Sequence, residues 1–197
     1  MSQEPKTPLP NAVTQRPESR VWGTRVMVIC GLLLFASAIN YLDRQTLASA
    51  SARIKSEFGL SNEQYGDIEA AFGYGFVLGS ILFGFLADIV SIRWLYPIVL
   101  IAWSGVTAAT AGAAGYEDLL WLRLGLGVFE AGHWPCGVRV VRVLIQARGR
   151  SMGNGLLQSG TSIGAVLAPL IMLALLTDEV GSWRPAFATV GAVGLVW

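Results

Sequence analysis

Residues 70–87, 94–116 and 151–177 contain no Asp, Glu, Lys or Arg. Each stretch is near or above the roughly 18 consecutive apolar residues that mark a candidate membrane-crossing helix. A chain built around such blocks is confined to a short menu of folds. In lipid the backbone must satisfy its own hydrogen bonds, which helices do internally and β-barrels do only by closing. Barrel strands need short alternating segments, which are absent here, so the expected class is all-α and membrane-integral. Composition agrees: 53% of the 197 residues are hydrophobic and 14% charged, against about 25% charged in a typical soluble domain.

Six spans fit the pattern, at about 24–47, 64–88, 92–114, 117–140, 150–176 and from 184 onward. The fourth is interrupted by Arg123 and Glu130. The sixth is expected to be truncated: 13 residues (185–197) cover roughly 20 Å of a hydrocarbon core about 30 Å thick. Residues 1–23, polar with Pro5, Pro8, Pro10 and Pro17, read as a disordered tail preceding a bundle over 24–197. The apolar run after it is long and lacks a small-residue cleavage pattern, which argues against a signal peptide. Lys and Arg set the orientation. With the N-terminus in the cytoplasm, inner segments hold Lys6, Arg16, Arg20, Arg25, Arg93, Arg139, Arg142, Arg148 and Arg150, and outer segments only Arg53, Lys55 and Arg184.

Charges inside spans cost roughly 2.5–3.5 kcal/mol at a helix centre on insertion scales and are functional candidates by default. Asp43, Arg44, Arg123 and Glu130 qualify. Arg123 and Glu130 are separated by about 700° of helical turn and share a face, as do Asn40 and Arg44 at a spacing of four. By depth, Asp43 and Arg123 both fall in the outer part of the bilayer, with Glu130 about 10 Å deeper. The expected arrangement pairs Asp43 with Arg123 and leaves Arg44 and Glu130 facing a shared cavity. A salt-bridge staple with no substrate is the alternative, but buried ion pairs are poor stabilisers for their desolvation cost. Arg44 is a permanent cationic fork suited to a carboxylate. Glu130 is a desolvated carboxyl able to load and release a proton. Together they are minimal equipment for proton-coupled anion transport.

Softer features read as structural. Glu130 and His133 have the Glu-x-x-His spacing of di-iron bundles, but such a site needs a second copy and two further Glu. This chain has one histidine, so no metal or other cofactor is expected, and His133 reads as packed or cavity-lining. Cys30 and Cys136 read as packing residues. Asp67 and Glu69, at the outer start of the second span, read as solvated. Gly75-x-x-x-Gly79 and Gly160-x-x-x-Gly164 are expected to let helices approach closely. No phosphate-binding loop, nucleophile elbow or zinc pattern supports an enzyme, and no nucleic-acid partner is expected.

Several stretches in order resemble the N-terminal half of a major facilitator superfamily transporter of the anion:cation symporter branch. INYLDRQTLASA resembles the branch's N-Y-x-D-R signature. AAFGYGFVLGSILFGFLAD resembles its second-helix pattern running into the G-x-L-A-D-R-x-G-R/K loop. RLGLGVFEAGHWP resembles R-x-x-x-G-x-x-E-A-x-x-x-P, ARGRSMGNGLLQSGTSIGAVLAPL the fifth-helix pattern, and WRPAF the start of the sixth. The resemblance implies a twelve-helix fold of two six-helix bundles, the second bundle missing from this chain, with alternating access in the cell membrane. By position it implies that Arg44, with Asn40 and Tyr74 lining the cavity, contacts a small organic anion such as a hexuronate. Asp43 and Glu130 would carry protons, with Arg123 coupling them, and Asp88 with Arg93 would form a cytoplasmic gate. Ile89 and Ser91 depart from the loop pattern (Arg and Gly there), which thins that gate, and Ser80 stands where many members have Gln. The rivals are a drug–proton antiporter, which favours an apolar pocket without Arg44, and a non-transporting membrane scaffold.

Overall fold

A computed structural model describes residues 23–177, 179 and 181–197; the expected tail, apart from Gly23, lies outside them. The described chain forms seven α-helices: α1 (Thr24–Phe58), α2 (Asn62–Ile89), α3 (Ile92–Thr110), α4 (Tyr116–Ala131), α5 (His133–Leu144), α6 (Arg150–Leu175) and α7 (Trp183–Val196). A 3₁₀ turn, Ala147–Gly149, leads into α6. Four stretches are long and apolar enough to cross a membrane: α1, α2, α3 and Ala147–Leu175. The other two expected spans fall short for different reasons, charge and a break in one, length in the other.

The break is at Gly132. Pro135 has no N–H to give the Ala131 carbonyl four residues earlier, and the Gly132 N–H turns to the Phe129 carbonyl at 3.1 Å. The fourth span, expected to be continuous over 117–140, is therefore two helices, α4 and α5, joined at one residue. Elsewhere the ends are well specified. Ser61 and Gln64 form a reciprocal capping box at the start of α2. Gly59 ends α1 at φ 62°, a left-handed conformation that glycine adopts without steric cost.

Helices pair through seams of small residues, since lipid offers no hydrophobic drive to bring them together. A Cβ on Gly75 or Gly79 of α2 would strike the backbone of Leu124 or Val128, and one on Gly127 of α4 would strike that of Phe72 and Phe76. Gly160 and Gly164 of α6 press in the same way on Leu34 and Ala38 of α1, and Gly191 of α7 on Ala108 of α3. At the end where α1 finishes, Arg184 locks three helices together. Its guanidinium donates to the Ala111 and Ala113 carbonyls (2.9 and 2.8 Å) and to Glu57 Oε1 (2.8 Å), while Trp183 Nε1 donates to Glu57 Oε2.

The distribution of polarity inverts that of a water-soluble protein. Leu173 is 80% and Ile81 71% exposed, whereas Glu130 and His133 are fully buried and Asp43, Asn40 and Arg123 nearly so. A bundle that faces lipid gathers its charges inside.

Candidate functional site

The buried charges meet where α1, α2 and α4 converge. Adjacent residues on a helix point about 100° apart, so Asp43 and Arg44 cannot face the same neighbour. Arg44 turns towards α4 and donates from Nη2 to Glu130 Oε2 at 3.0 Å; its side chain is 34% exposed and that of Glu130 not at all. Its guanidinium also lies 4.9 Å from the centre of the Phe72 ring and 5.1 Å from that of Phe76, both on α2. Such contacts attract the cation electrostatically to the ring faces. Arg44 Nε and Glu130 Oε1 are buried and have no hydrogen-bond partner among the described residues.

Arg123 shares the Phe72 ring with Arg44, its Cζ 4.7 Å from the ring centre, so one ring serves two guanidiniums. The expected Asp43–Arg123 pair is not formed. Arg123 Nη2 reaches Glu69 Oε1 of α2 at 3.5 Å, and the Tyr65 hydroxyl donates to that same oxygen at 3.1 Å. Arg44 and Glu130, expected to face a shared cavity, are bonded to each other. The cause lies in packing: the glycine seam presses α2 on α4, which brings Glu69 and Phe72, one turn apart on α2, against Arg123. Asp43 faces α3. The hydroxyl of Thr107 and indole of Trp103 approach its carboxyl without completing a hydrogen bond, and both carboxyl oxygens lack a partner. Asn40 is buried one turn earlier on α1, its Nδ2 also unpartnered.

Three other expected residues stand apart. Tyr74 is 70% exposed and about 200° around α2 from Phe72 and Phe76, so within this chain it does not join Arg44. Asp88 pairs with Arg139 of α5 at 2.8 Å, not with Arg93, which lies over the Trp94 ring. Sequence reading overlooked Arg139 because a lone Arg beyond a span looks like an orientation signal. Glu69 and Phe72 were overlooked too, and only their spacing of three on α2 hints that they share a face.

His133 opens α5 three residues after Glu130 and is held on both ring nitrogens. Nε2 is 2.8 Å from Ser37 Oγ and Nδ1 is 2.9 Å from the Tyr96 hydroxyl. Ser37 has one proton and gives it to the Leu33 carbonyl at 3.0 Å. It therefore accepts from Nε2–H, and the Tyr96 hydroxyl donates to Nδ1. This neutral tautomer satisfies every donor in the chain and ties α1 and α3 to the α4–α5 break. No group of three or more His, Cys, Asp or Glu able to hold a metal exists among the described residues.

Comparison with known proteins gives the geometry a context. Residues 33–197 match the model of the Major Facilitator Superfamily. The D-galactonate transporter of Escherichia coli O6:H1 is 33% identical over 182 residues, covering 92% of this chain and 41% of the relative. The probable L-galactonate transporter of Escherichia coli K12 is 32% identical, covering 83% of this chain and 36% of the relative. The hexuronate transporter of that strain is 29% identical over 90% of this chain and 40% of its own length. This chain thus spans about two fifths of these relatives. Among solved structures, a bacterial homologue of the human lysosomal transporter Spinster, inward-facing and occupied, superposes with a TM-score of 0.81 at 25% identity. The match covers 87% of this chain and 42% of that one.

Proposed function

The chain belongs to the Major Facilitator Superfamily, and from that premise we propose that it forms the N-terminal six-helix half of a proton-coupled symporter for an organic anion, a sugar acid such as a hexuronate. One observation carries the reading: a partly exposed Arg44 held by a fully buried Glu130 at 3.0 Å. A carboxylate entering the site meets the open edge of the Arg44 guanidinium and competes with Glu130 for it. Protonation of Glu130 removes that competitor and leaves Arg44 to the substrate. Loss of the proton restores the ion pair and expels the anion. Binding of anion and proton are thereby linked in the direction a symporter needs, by one shared guanidinium. The relatives named for galactonate and hexuronate support this substrate class, and the exposed cation argues against a pocket built for apolar drugs.

A second six-helix bundle supplies the facing wall of the site, and rocking of the two bundles gives alternating access. In this reading the protein resides in the cell membrane with its N-terminus cytoplasmic, following the Lys and Arg bias, and Asp88 with Arg139 and Arg93 sits at the cytoplasmic gate. Uptake of labelled hexuronates and aldonates into vesicles holding the whole transporter, with and without an imposed pH gradient, tests the proposal. Accumulation that ignores the gradient refutes proton coupling, and indifference to every sugar acid refutes the substrate class.

A further inference from the structure

Around Phe72 the charges do not balance. Three carboxyls (Asp43, Glu69 and Glu130) share two guanidiniums, Arg44 and Arg123. Glu130 takes Arg44 at 3.0 Å and Glu69 takes Arg123 at 3.5 Å. Asp43, 1% exposed, is left with neither cation and no hydrogen-bond partner on either oxygen. An isolated carboxylate buried this deeply is untenable, and such a group takes a proton instead. Of the three acids, Glu69 alone opens to solvent, with a side chain 40% exposed, and Tyr65 steadies the oxygen that faces Arg123.

Arg123 is equipped for a second partner. Its side chain is 4% exposed and contacts Glu69 through a single nitrogen, while Nε and Nη1 have no partner. Its charge already acts on Asp43, as does that of Glu130; Thr107 and Trp103 are the other side chains against that carboxyl. The backbone beneath it is fixed by the Gly127 seam against Phe72, so a change of partner is a side-chain rotation along the Phe72 ring and leaves the helices in place.

We infer that Glu69 is a positioning residue that sets the proton count of the site: by holding Arg123 in an ion pair of its own, it leaves Asp43 as the carboxyl that carries the proton. When Arg123 turns to Asp43, that carboxyl gives its proton up to water, and Glu69, released from Arg123, remains at the solvent-open edge of the site. Without Glu69 the site has two acids for two bases, every carboxylate is paired, and no proton is stored. The significance for transport rests on the proton-coupled reading above; the charge count does not.

Infrared spectroscopy of the whole chain in lipid nanodiscs at neutral pH tests this directly, because a protonated carboxyl has its own carbonyl stretch. The wild type is expected to show such a band, and Asp43→Asn to lose it. Glu69→Gln is expected to lose it as well, although Asp43 is still present, and the double variant Glu69→Gln/Arg123→Gln to recover it. Glu69→Ser, a second neutral variant, guards against a folding defect in the first, with helicity checked by circular dichroism. A band that persists in both Glu69 variants, is absent from the wild type, or fails to return in the double variant overturns the inference. These spectra need no transport. Uptake insensitive to pH alongside the expected band pattern refutes the symport reading alone, and pH-driven uptake alongside a persistent band refutes only the role of Glu69.

Discussion

Replacing Arg44 by Lys keeps the positive charge and removes the fork. Arg44 serves Glu130 through Nη2, lies on Phe72 and Phe76, and in the proposed reading offers its remaining edge to the anion. A lysine ammonium is a compact point charge and must choose between Glu130 and the incoming carboxylate. The substitution therefore removes one charge-assisted hydrogen bond, a group worth about 1.5–3 kcal/mol. Arg44 is 34% exposed, so water makes good part of the loss, and the lower half of that range applies. The expected result is roughly 10- to 40-fold weaker binding of the sugar acid, at about 1.4 kcal/mol per tenfold. Titration calorimetry on the whole transporter measures it. Repeating the measurement in a Glu130→Gln background tests the competition itself: with the rival carboxylate gone, the lysine is free for the substrate and the penalty shrinks. That non-additivity is what a shared cation requires. A dissociation constant within about threefold of wild type, or a penalty unchanged by Glu130→Gln, refutes Arg44 as the contested ligand.

Three further outcomes are expected. Glu130→Gln, which keeps the shape of the carboxyl and cannot release a proton, abolishes pH-driven accumulation in vesicles yet permits exchange of internal for external substrate; retained pH-driven uptake sinks the role of Glu130. Gly127→Val drives a side chain into the backbone of α2 at Phe72 and Phe76 and costs about 1–3 kcal/mol by overpacking. It is read as a lower unfolding midpoint in detergent, and an unchanged midpoint contradicts the seam. Nitrogen-15 spectra of the single histidine show a neutral ring protonated on Nε2, and Ser37→Ala perturbs that nitrogen more than Nδ1; an Nδ1–H or doubly protonated ring contradicts the hydrogen-bond chain.

The spans were legible because an uncharged run of bilayer length has few other uses, and the inward-facing acids and bases because lipid penalises them anywhere else. The pairing among those charges was not legible. Depth along each helix put Asp43 and Arg123 at the same level, but depth says nothing about azimuth. The packing of α2 against α4 gave Arg123 other neighbours, Phe72 and Glu69. Pairing is thus set by a third helix whose position depends on where Gly75, Gly79 and Gly127 allow contact. Glu69 was hidden for a related reason: an acid at the mouth of a span looks like a solvated end until tertiary structure gives it a neighbour. The break at Gly132 had a visible cause in Pro135, yet a proline in an apolar run is as compatible with a bend as with a new helix.

The glycine seams also determine what this bundle can do mechanically. Where backbone rests on backbone, one helix cannot slide along another by part of a turn, because the atoms in contact have no rotamers to yield. α1 with α6, α2 with α4, and α3 with α7 therefore travel as three stiff beams. Adaptation is channelled accordingly. Lipid-facing leucines can drift, and residues around Arg44 can be exchanged without disturbing a seam, while a single added methyl group along a beam forces two backbones apart.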